Sequence, residues 1–139
     1  MVDVSEFNDL LIADFRAHGG EITDGPFKGR RLLLLTTKGK RTGKQRTTPL
    51  AYHSDGERYV VIGSKGGAPT HPDWYRNLVA DPNVTIEVGG ERFAARATPA
   101  RGPERHRLYD QHAEKMPVFR DYEKKTTREI PAIVLERTA

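Results

Sequence analysis

The feature that most constrains the fold of this chain is a hairpin-like segment, residues 30–52, in which two β-prone runs flank a basic loop. The first run extends from Leu32 to Thr36 and the second from Thr47 to Tyr52. Four consecutive leucines in the first run predict a strand that is buried on both faces. The loop between the runs is rich in glycine, lysine and arginine, which predicts an antiparallel strand pair with a long basic tip.

The positive charge of the chain is concentrated in and around this hairpin. Eight lysines and arginines, and no acidic residue, lie between Gly25 and Ser54. Since these residues contribute +8 and the whole chain carries +4, the remaining residues must carry a net charge of −4. A local concentration of positive charge indicates an anionic partner.

The basic loop has the glycines of an anion site but does not match the common phosphate-binding motif. Gly39 and Gly43 let the backbone approach an anion closely, and successive N–H groups can form an anion-binding nest. A Walker A motif needs four residues between its glycines and a Ser or Thr after its lysine. Here three residues separate the glycines, and Gln45 follows Lys44.

Turn signals and periodicity divide the rest of the chain into further strands and helices. An amphipathic helix is predicted from Ser5 to the glycine pair at 19–20. Further strands are predicted at Arg58–Gly63, Val84–Val88, Glu91–Thr98 and Pro131–Glu136, and further helices at Pro72–Leu78 and Pro103–Lys115. The segment from Met116 to Thr127 fits neither pattern clearly.

About six short strands and three helices around one core predict a mainly β, α+β fold, a small antiparallel barrel with helices at its ends. We expect a single domain over residues 1–139, with the helix in 1–20 and the barrel in 30–137. The chain has no cysteine, which excludes disulfides and cysteine metal sites. His71 has no second ligand at metal-binding spacing, so no metal site is expected and all five histidines are expected to be structural.

The location is predicted from the absence of membrane and export signals. No apolar run approaches the roughly 20 residues that a membrane span needs. The residues at the N-terminus lack the basic and then apolar layout of a signal peptide. We therefore expect a cytoplasmic protein.

A second cluster, Ser64 to Leu78, reads S-K-G-G-A-P-T-H-P-D-W-Y-R-N-L and starts just past a predicted strand end, where ligand-binding loops often lie. With the basic loop, the R-T-T-P-L that follows it, D-P-N-V and the C-terminal P-A-I-V-L-E-R, it closely resembles the deazaflavin (coenzyme F420)-dependent nitroreductase and F420H2-dependent quinone reductase family. The resemblance extends from about residue 30 to residue 137. It implies a split β-barrel related to flavin reductases and pyridoxamine phosphate oxidases, with reduced F420 as the hydride donor.

The resemblance also implies a cofactor site. F420 has a flavin-like ring, a phosphate and an oligoglutamate tail, which suits a basic loop. In the family's pattern, the phosphate and tail are held by Lys40, Arg41, Thr42 and Arg46. The ring is lined by Thr48, Pro49 and Leu50, and the next strand end contributes Ile62, Ser64 and Lys65. The short helix closes the site with Asp73, Trp74 and Asn77, although core packing is an equal alternative for Trp74.

On the acceptor side the resemblance implies a substrate pocket of Ala51, Met116, Phe119 and Tyr122. Relatives carry several tyrosines there, whereas this chain keeps only the Tyr122 hydroxyl and has Ala51 where some relatives have tyrosine. A more apolar and roomier pocket follows, which favours a quinone or a conjugated enone over nitroimidazoles; a nitroaromatic is a further expected acceptor. Ser64 or Tyr122 would polarise the acceptor oxygen, with a proton from Tyr122 or water.

Two alternatives remain open at the level of sequence. FMN could occupy the same kind of barrel, or the basic loop could bind nucleic acid, as small barrels do. A nucleic-acid module favours aromatic residues among the basic ones, and none lies between Lys38 and Arg46. The expected partner is a small-molecule acceptor, with peripheral membrane contact if that acceptor is a lipid quinone. The sequence leaves the oligomeric state open.

Overall fold

A computed structural model describes residues 4–138, in which seven strands form one sheet and four α-helices pack around it. The strands are β1 Leu32–Lys38, β2 Gln45–Ala51, β3 His53–Asp55, β4 Arg58–Ile62, β5 Asn83–Val88, β6 Glu91–Pro99 and β7 Ala132–Arg137. The helices are α1 Val4–Ala17, α2 Asp73–Ala80, α3 Gly102–Lys115 and α4 Val118–Lys124, with a short 3₁₀ turn at Lys65–Gly67. The first residues of the predicted N-terminal segment, 1–3, lie outside the described residues.

The sheet closes on itself because its two outermost strands are neighbours in the chain. The strand order is β2-β1-β5-β6-β7-β4-β3, and every pair is antiparallel. Only Tyr52 separates β2 from β3, so the two edges of the sheet must lie side by side. This closure confirms the predicted antiparallel barrel. The break at Tyr52 also divides the second predicted run of the hairpin into β2 and β3, so seven strands are observed where six were predicted.

The predicted hairpin is confirmed, with β1 and β2 paired from Leu32 opposite Ala51 to Lys38 opposite Gln45. All four leucines of β1 are buried. Side chains alternate between the faces of a strand, so Leu33 and Leu35 enter the barrel interior, whereas Leu32 and Leu34 face α1. The prediction of a strand buried on both faces is therefore confirmed.

The helices cover separate parts of the barrel. Leu11 and Phe15 of α1 pack against the outer face of β1. Helix α3 covers β4 and β7 through Leu108 and Tyr109. The segment that the sequence left ambiguous contains α4, whose Phe119 joins the same cluster. Residues 4–138 therefore contain four α-helices rather than the three predicted. Within residues 4–138, no helix has the length and apolar character needed to cross a membrane.

Candidate functional site

A cationic cavity of about 680 Å³ lies between the tip of the β1–β2 hairpin and helix α2. We call it the tip cavity. It is lined by Gly39, Lys40, Arg41, Thr42, Arg46, Asp73, Arg76 and Asn77. Six of the residues that the family resemblance implies for the cofactor are therefore brought together here from two elements that are distant in the sequence.

The tip of the hairpin is folded onto itself by backbone hydrogen bonds. The Gly39 N–H donates to the Lys44 carbonyl at 2.7 Å, and the Gly43 N–H donates to the Gly39 carbonyl at 2.8 Å. Gly43 has a φ of 71°, a conformation that favours glycine. A Cβ on Gly39 would lie 2.8 Å from the Thr42 hydroxyl oxygen, so a side chain there would disturb the tip. These contacts hold the backbone that lines the cavity.

Asn77 joins helix α2 to the hairpin. Its side chain is buried, and its Oδ1 accepts a hydrogen bond from the Lys40 N–H at 3.0 Å. Its Nδ2 donates to the Thr37 hydroxyl at 3.2 Å. One amide therefore fixes the tip, strand β1 and α2 relative to one another, which sets the shape of the tip cavity.

The electrostatics of the tip cavity favour an anion. Its lining carries four cationic side chains and, among the described lining residues, a single carboxylate, Asp73. None of the ion pairs formed within residues 4–138 involves Lys40, Arg41, Arg46 or Arg76. Guanidinium and ammonium groups without carboxylate partners are available for charge-assisted hydrogen bonds to phosphate or carboxylate oxygens.

Arg76 is a lining residue that the sequence analysis did not assign. Arg76 and Asn77 lie on α2 three and four residues after Asp73. Residues three and four positions apart share a helix face. The helical periodicity therefore carried the signal that would have included Arg76 with its two neighbours.

Seven of the residues assigned to the cofactor do not line the tip cavity, and five of them lie on β2, β4 and α2. Thr48, Pro49 and Leu50 are half-buried along β2, and Leu50 packs against the barrel interior. Trp74 is buried in that interior beside Leu33 and Leu35, and Ile62 is buried in the cluster beneath α3. For Trp74 this position corresponds to the core-packing alternative. Direct lining of the tip cavity by Trp74 or Ile62 is not observed.

The residues 64–71, which we call the strand-end loop, are organised around Arg128. The Arg128 guanidinium donates to the carbonyls of Ser64 and Ala68 at 2.8 and 2.9 Å. Its third contact is with His71 Nδ1 at 3.0 Å. Because arginine only donates, Nδ1 of His71 is the acceptor in this contact. Burial, followed by the positive charges of Arg128 and Arg76, lowers the pKa of His71 below its ordinary value.

The two residues predicted as catalytic, Ser64 and Tyr122, belong to elements that contact each other. A Cβ on Gly67 of the strand-end loop would lie 3.0 Å from the Tyr122 carbonyl oxygen of α4. The Tyr122 ring lies 5.2 Å from the Phe119 ring, and the Lys125 ammonium lies 5.8 Å from its centre. Lys65 has a φ of 47°, its ammonium donates to the Thr70 hydroxyl of the same loop, and it does not line the tip cavity.

The residues predicted for the substrate pocket are divided between different surroundings. Met116 lines a second cavity, of about 480 Å³, at the opposite end of the β1–β2 hairpin; we call it the base cavity. It is lined by Arg30, Arg31, Tyr52, Lys115, Met116, Pro117 and Val118. Phe119 and Tyr122 pack instead on the cluster beneath α3, and Ala51 packs on the α1 cluster. A single pocket formed by all four predicted residues is not observed.

Two histidines form a buried contact next to Phe119. Nδ1 of His53 lies 2.8 Å from Nδ1 of His112, and Nε2 of His53 lies 3.3 Å from the Gln111 side-chain oxygen. His53 therefore donates through Nε2 and accepts through Nδ1, which makes His112 Nδ1 the donor. Nε2 of His112 is then an acceptor, and it has no hydrogen-bond partner among the described residues. Burial, and then the neighbouring His53, lower the pKa of His112 to about 3.

Comparison with known proteins identifies a family that this chain matches. The family model described as F420H(2)-dependent quinone reductase matches residues 11–137. An F420H(2)-dependent quinone reductase of Mycobacterium tuberculosis is 41% identical over 111 residues, covering 76% of this chain and 72% of the relative.

Solved structures agree with the barrel. The structure of an F420-H2-dependent reductase, FDR-A, matches with a TM-score of 0.70 and 35% identity, covering 76% of this chain and 93% of that one. A Listeria innocua protein proposed to be a pyridoxamine 5′-phosphate oxidase matches with a TM-score of 0.57 at 10% identity, covering 96% and 95% of the two chains. This second likeness concerns the fold alone. The predicted split β-barrel class is confirmed.

Proposed function

This chain belongs to the F420H(2)-dependent quinone reductase family, and we propose that its tip cavity binds the anionic phosphate and tail of coenzyme F420. Reduced F420 is the hydride donor and a quinone is the acceptor in this family. The observation that carries the proposal is the group of four cationic side chains without ion-pair partners around one cavity. A phosphate followed by several glutamates is an elongated polyanion, which matches this lining.

The residues present fit the cofactor in charge. Lys40, Arg41 and Arg46 offer donors to oxyanions from the hairpin, and Arg76 offers them from α2. A Cβ on Gly39 would lie 2.8 Å from the Thr42 hydroxyl oxygen, so glycine is needed there for the tip to keep this shape. The charge of the lining supports an anion-binding role for the tip.

When bound, reduced F420 supplies a hydride to the acceptor, and the residues of this chain supply binding, orientation and electrostatics. We propose that the phosphate and tail contact Lys40, Arg41, Thr42, Arg46 and Arg76. Thr48, Pro49 and Leu50 would line the ring along β2, while Ser64 and Lys65 would contact it from the strand-end loop. Asn77 and Asp73 would fix α2 against the tip, with Trp74 and Ile62 supporting the site from the core.

For the acceptor, we propose that Ser64 or Tyr122 polarises the oxygen that gains negative charge, because the strand-end loop and α4 are in contact. Conjugated enones and nitroaromatics remain proposed acceptors beside quinones. A cytoplasmic location, a single domain over 1–139 and peripheral membrane contact with a lipid quinone also remain proposals.

The proposed cofactor site is tested by titrating the protein with F420, FMN and NADPH while recording Trp74 fluorescence. The chain has one tryptophan, and it lies on α2 next to Asp73, which lines the tip cavity. F420 should bind much more tightly than FMN, and NADPH should not bind. Arg41→Gln and Arg46→Gln should each weaken F420 about tenfold to a hundredfold, since a hydrogen bond to a charged group contributes roughly 1.5–3 kcal/mol.

Arg101→Gln is the matched control, because Arg101 is exposed and lines neither cavity. Tight FMN binding without F420 binding would replace the proposal with a flavin enzyme. Tight binding of single-stranded oligonucleotides alone would indicate a nucleic-acid-binding barrel.

A further inference from the structure

We propose that the base cavity binds the electron acceptor and selects acceptors that carry a negative charge beside a planar apolar ring. Calling this ligand an acceptor rests on the proposed function, whereas its anionic character follows from the cavity itself. The cavity lies where residues 30–31, Tyr52 and the junction between α3 and α4 meet. Ser64 and Tyr122 do not line it, so this placement is an alternative to the one in which either of them polarises the acceptor oxygen.

The base cavity has an apolar wall with one phenol in it. Met116, Pro117 and Val118 form the wall between α3 and α4, and Val118 is 43% exposed. Tyr52 is half-buried opposite them and packs edge-on against the Tyr59 ring at 5.6 Å. Within residues 4–138 the Tyr52 hydroxyl has no hydrogen bond, and burial raises its pKa. A neutral phenol beside apolar carbon suits a planar ring that bears oxygen atoms.

The remaining lining residues, Arg30, Arg31 and Lys115, are cationic, and none of the described lining residues is acidic. Elsewhere the fold pairs arginines with carboxylates: Arg16 with Glu87, Arg58 and Arg107 with Asp55, Arg120 with Asp110, and Arg137 with Glu91. No such pair in the described chain involves the three cations of the base cavity. Their charge is therefore available to a ligand.

The base and tip cavities are too far apart to share one small anion. Arg31 precedes Leu32 at one end of the hairpin, whereas Lys38 pairs with Gln45 at the other end. Six residue steps of an antiparallel strand span roughly 20 Å. The positive charge that the sequence places in one basic segment is therefore divided between two cavities, and only the tip cavity is needed for the phosphate and tail.

The size of the base cavity suits a small ring system. Its volume of about 480 Å³ lies within the range of roughly 300–1,000 Å³ that is usual for small-molecule sites. A concave site of this size favours a small molecule over a flat lipid surface. The ligand class that matches the wall, the phenol and the cations is a one- or two-ring quinone with an acidic substituent.

The test compares two naphthoquinones of nearly the same shape in the absence of F420. 2-Hydroxy-1,4-naphthoquinone is an anion at neutral pH, and 2-methoxy-1,4-naphthoquinone is uncharged. By calorimetry, the hydroxy compound should bind at least about tenfold more tightly, and added salt should remove most of that advantage. Arg31→Gln/Lys115→Gln should weaken the hydroxy compound about tenfold and change the methoxy compound less than about twofold.

Crossed variants separate this site from the cofactor site. Arg41→Gln/Arg46→Gln should lower the affinity for F420 and leave the affinity for the hydroxynaphthoquinone unchanged. Arg31→Gln/Lys115→Gln should lower the affinity for the hydroxynaphthoquinone and leave the affinity for F420 unchanged. Arg101→Gln is the control for both, because Arg101 lies at the opposite end of α3 from Lys115, roughly 20 Å away along the helix. Since the naphthoquinone titration contains no F420, it can succeed or fail independently of the proposed function.

Three results would overturn the proposal. One is equal affinity for the two naphthoquinones in the wild-type protein. Another is loss of hydroxynaphthoquinone binding in Arg41→Gln/Arg46→Gln, which would show that this anion binds in the tip cavity and not in the base cavity. The third is an Arg31→Gln/Lys115→Gln protein that binds the naphthoquinones normally but no longer sediments with phosphatidylglycerol vesicles, because the base cavity would then be a membrane contact.

Discussion

At the scale of single residues, the buried pair of His53 and His112 makes the fold sensitive to acid. His112 is fully buried, and its pKa is lowered to about 3 by burial and by His53. An unfolded chain takes up this proton near the ordinary value of 6.5, whereas the folded chain does not until the pH approaches 3. The unfolded state therefore binds more protons across this window, and stability is lost as the pH falls through it.

His112→Asn tests this linkage, because asparagine can still donate a hydrogen bond to His53 and cannot titrate. Between pH 6 and 4, the free energy of unfolding should fall less steeply in the variant, by up to about 1.4 kcal/mol per pH unit. Chemical denaturation at several pH values gives both slopes. His106→Asn, at an exposed position on the same helix, should keep the wild-type slope. Equal slopes in the wild type and His112→Asn would exclude His112 as the source.

At the scale of elements, the strand-end loop depends on Arg128. Arg128→Gln removes most of the contacts to Ser64, Ala68 and His71, and a hydrogen bond from a charged group contributes roughly 1.5–3 kcal/mol. Amide hydrogen exchange in residues 64–71 should therefore accelerate about tenfold or more, while β5 and β6 keep their protection. Arg120→Gln, which breaks an exposed ion pair of α4 with Asp110, is the control. Unchanged exchange in residues 64–71 would show that the loop does not need the guanidinium.

Elements specified by local pattern were predicted from the sequence. The leucine run and the glycines at 39 and 43 predicted the hairpin and its tip, and paired turn and strand signals predicted β5 and β6. The break at Tyr52 was missed because it results from barrel closure, which joins strands at opposite edges of the sheet. Helix α4 was missed because its seven residues carry little apolar periodicity and rely on contacts with α3.

The candidate site shows the same division between local and distant information. The tip-cavity residues follow one another closely in two motifs, so the family resemblance named most of them together. Arg128 was missed because its three partners lie 57 to 64 residues earlier in the chain. The base cavity was missed for a similar reason, since Arg31 and Lys115 meet only when the barrel is formed.

At the scale of the whole molecule, the location of charge matters more than its total. The net charge of +4 is modest for 139 residues, yet each cavity carries several cations that lack ion-pair partners in the described chain. A protein of this kind should attract polyanions through local fields. Variants with the same net charge should then differ according to where the charge was changed.

Arg41→Glu and Arg101→Glu make this comparison, because each lowers the net charge by two and only Arg41 lines the tip cavity. Arg41→Glu should weaken F420 at least a hundredfold, whereas Arg101→Glu should change its affinity less than about threefold. In the wild-type protein, F420 with a longer glutamate tail should bind modestly more tightly at 10 mM salt, where the screening length is about 30 Å. That advantage should shrink at 150 mM, where the screening length is about 8 Å and only charges close to the cations are still attracted. Trp74 fluorescence titrations at both salt concentrations measure every affinity needed. Equal losses in the two variants would mean that net charge drives binding, and the tip cavity would lose its assignment as the tail site.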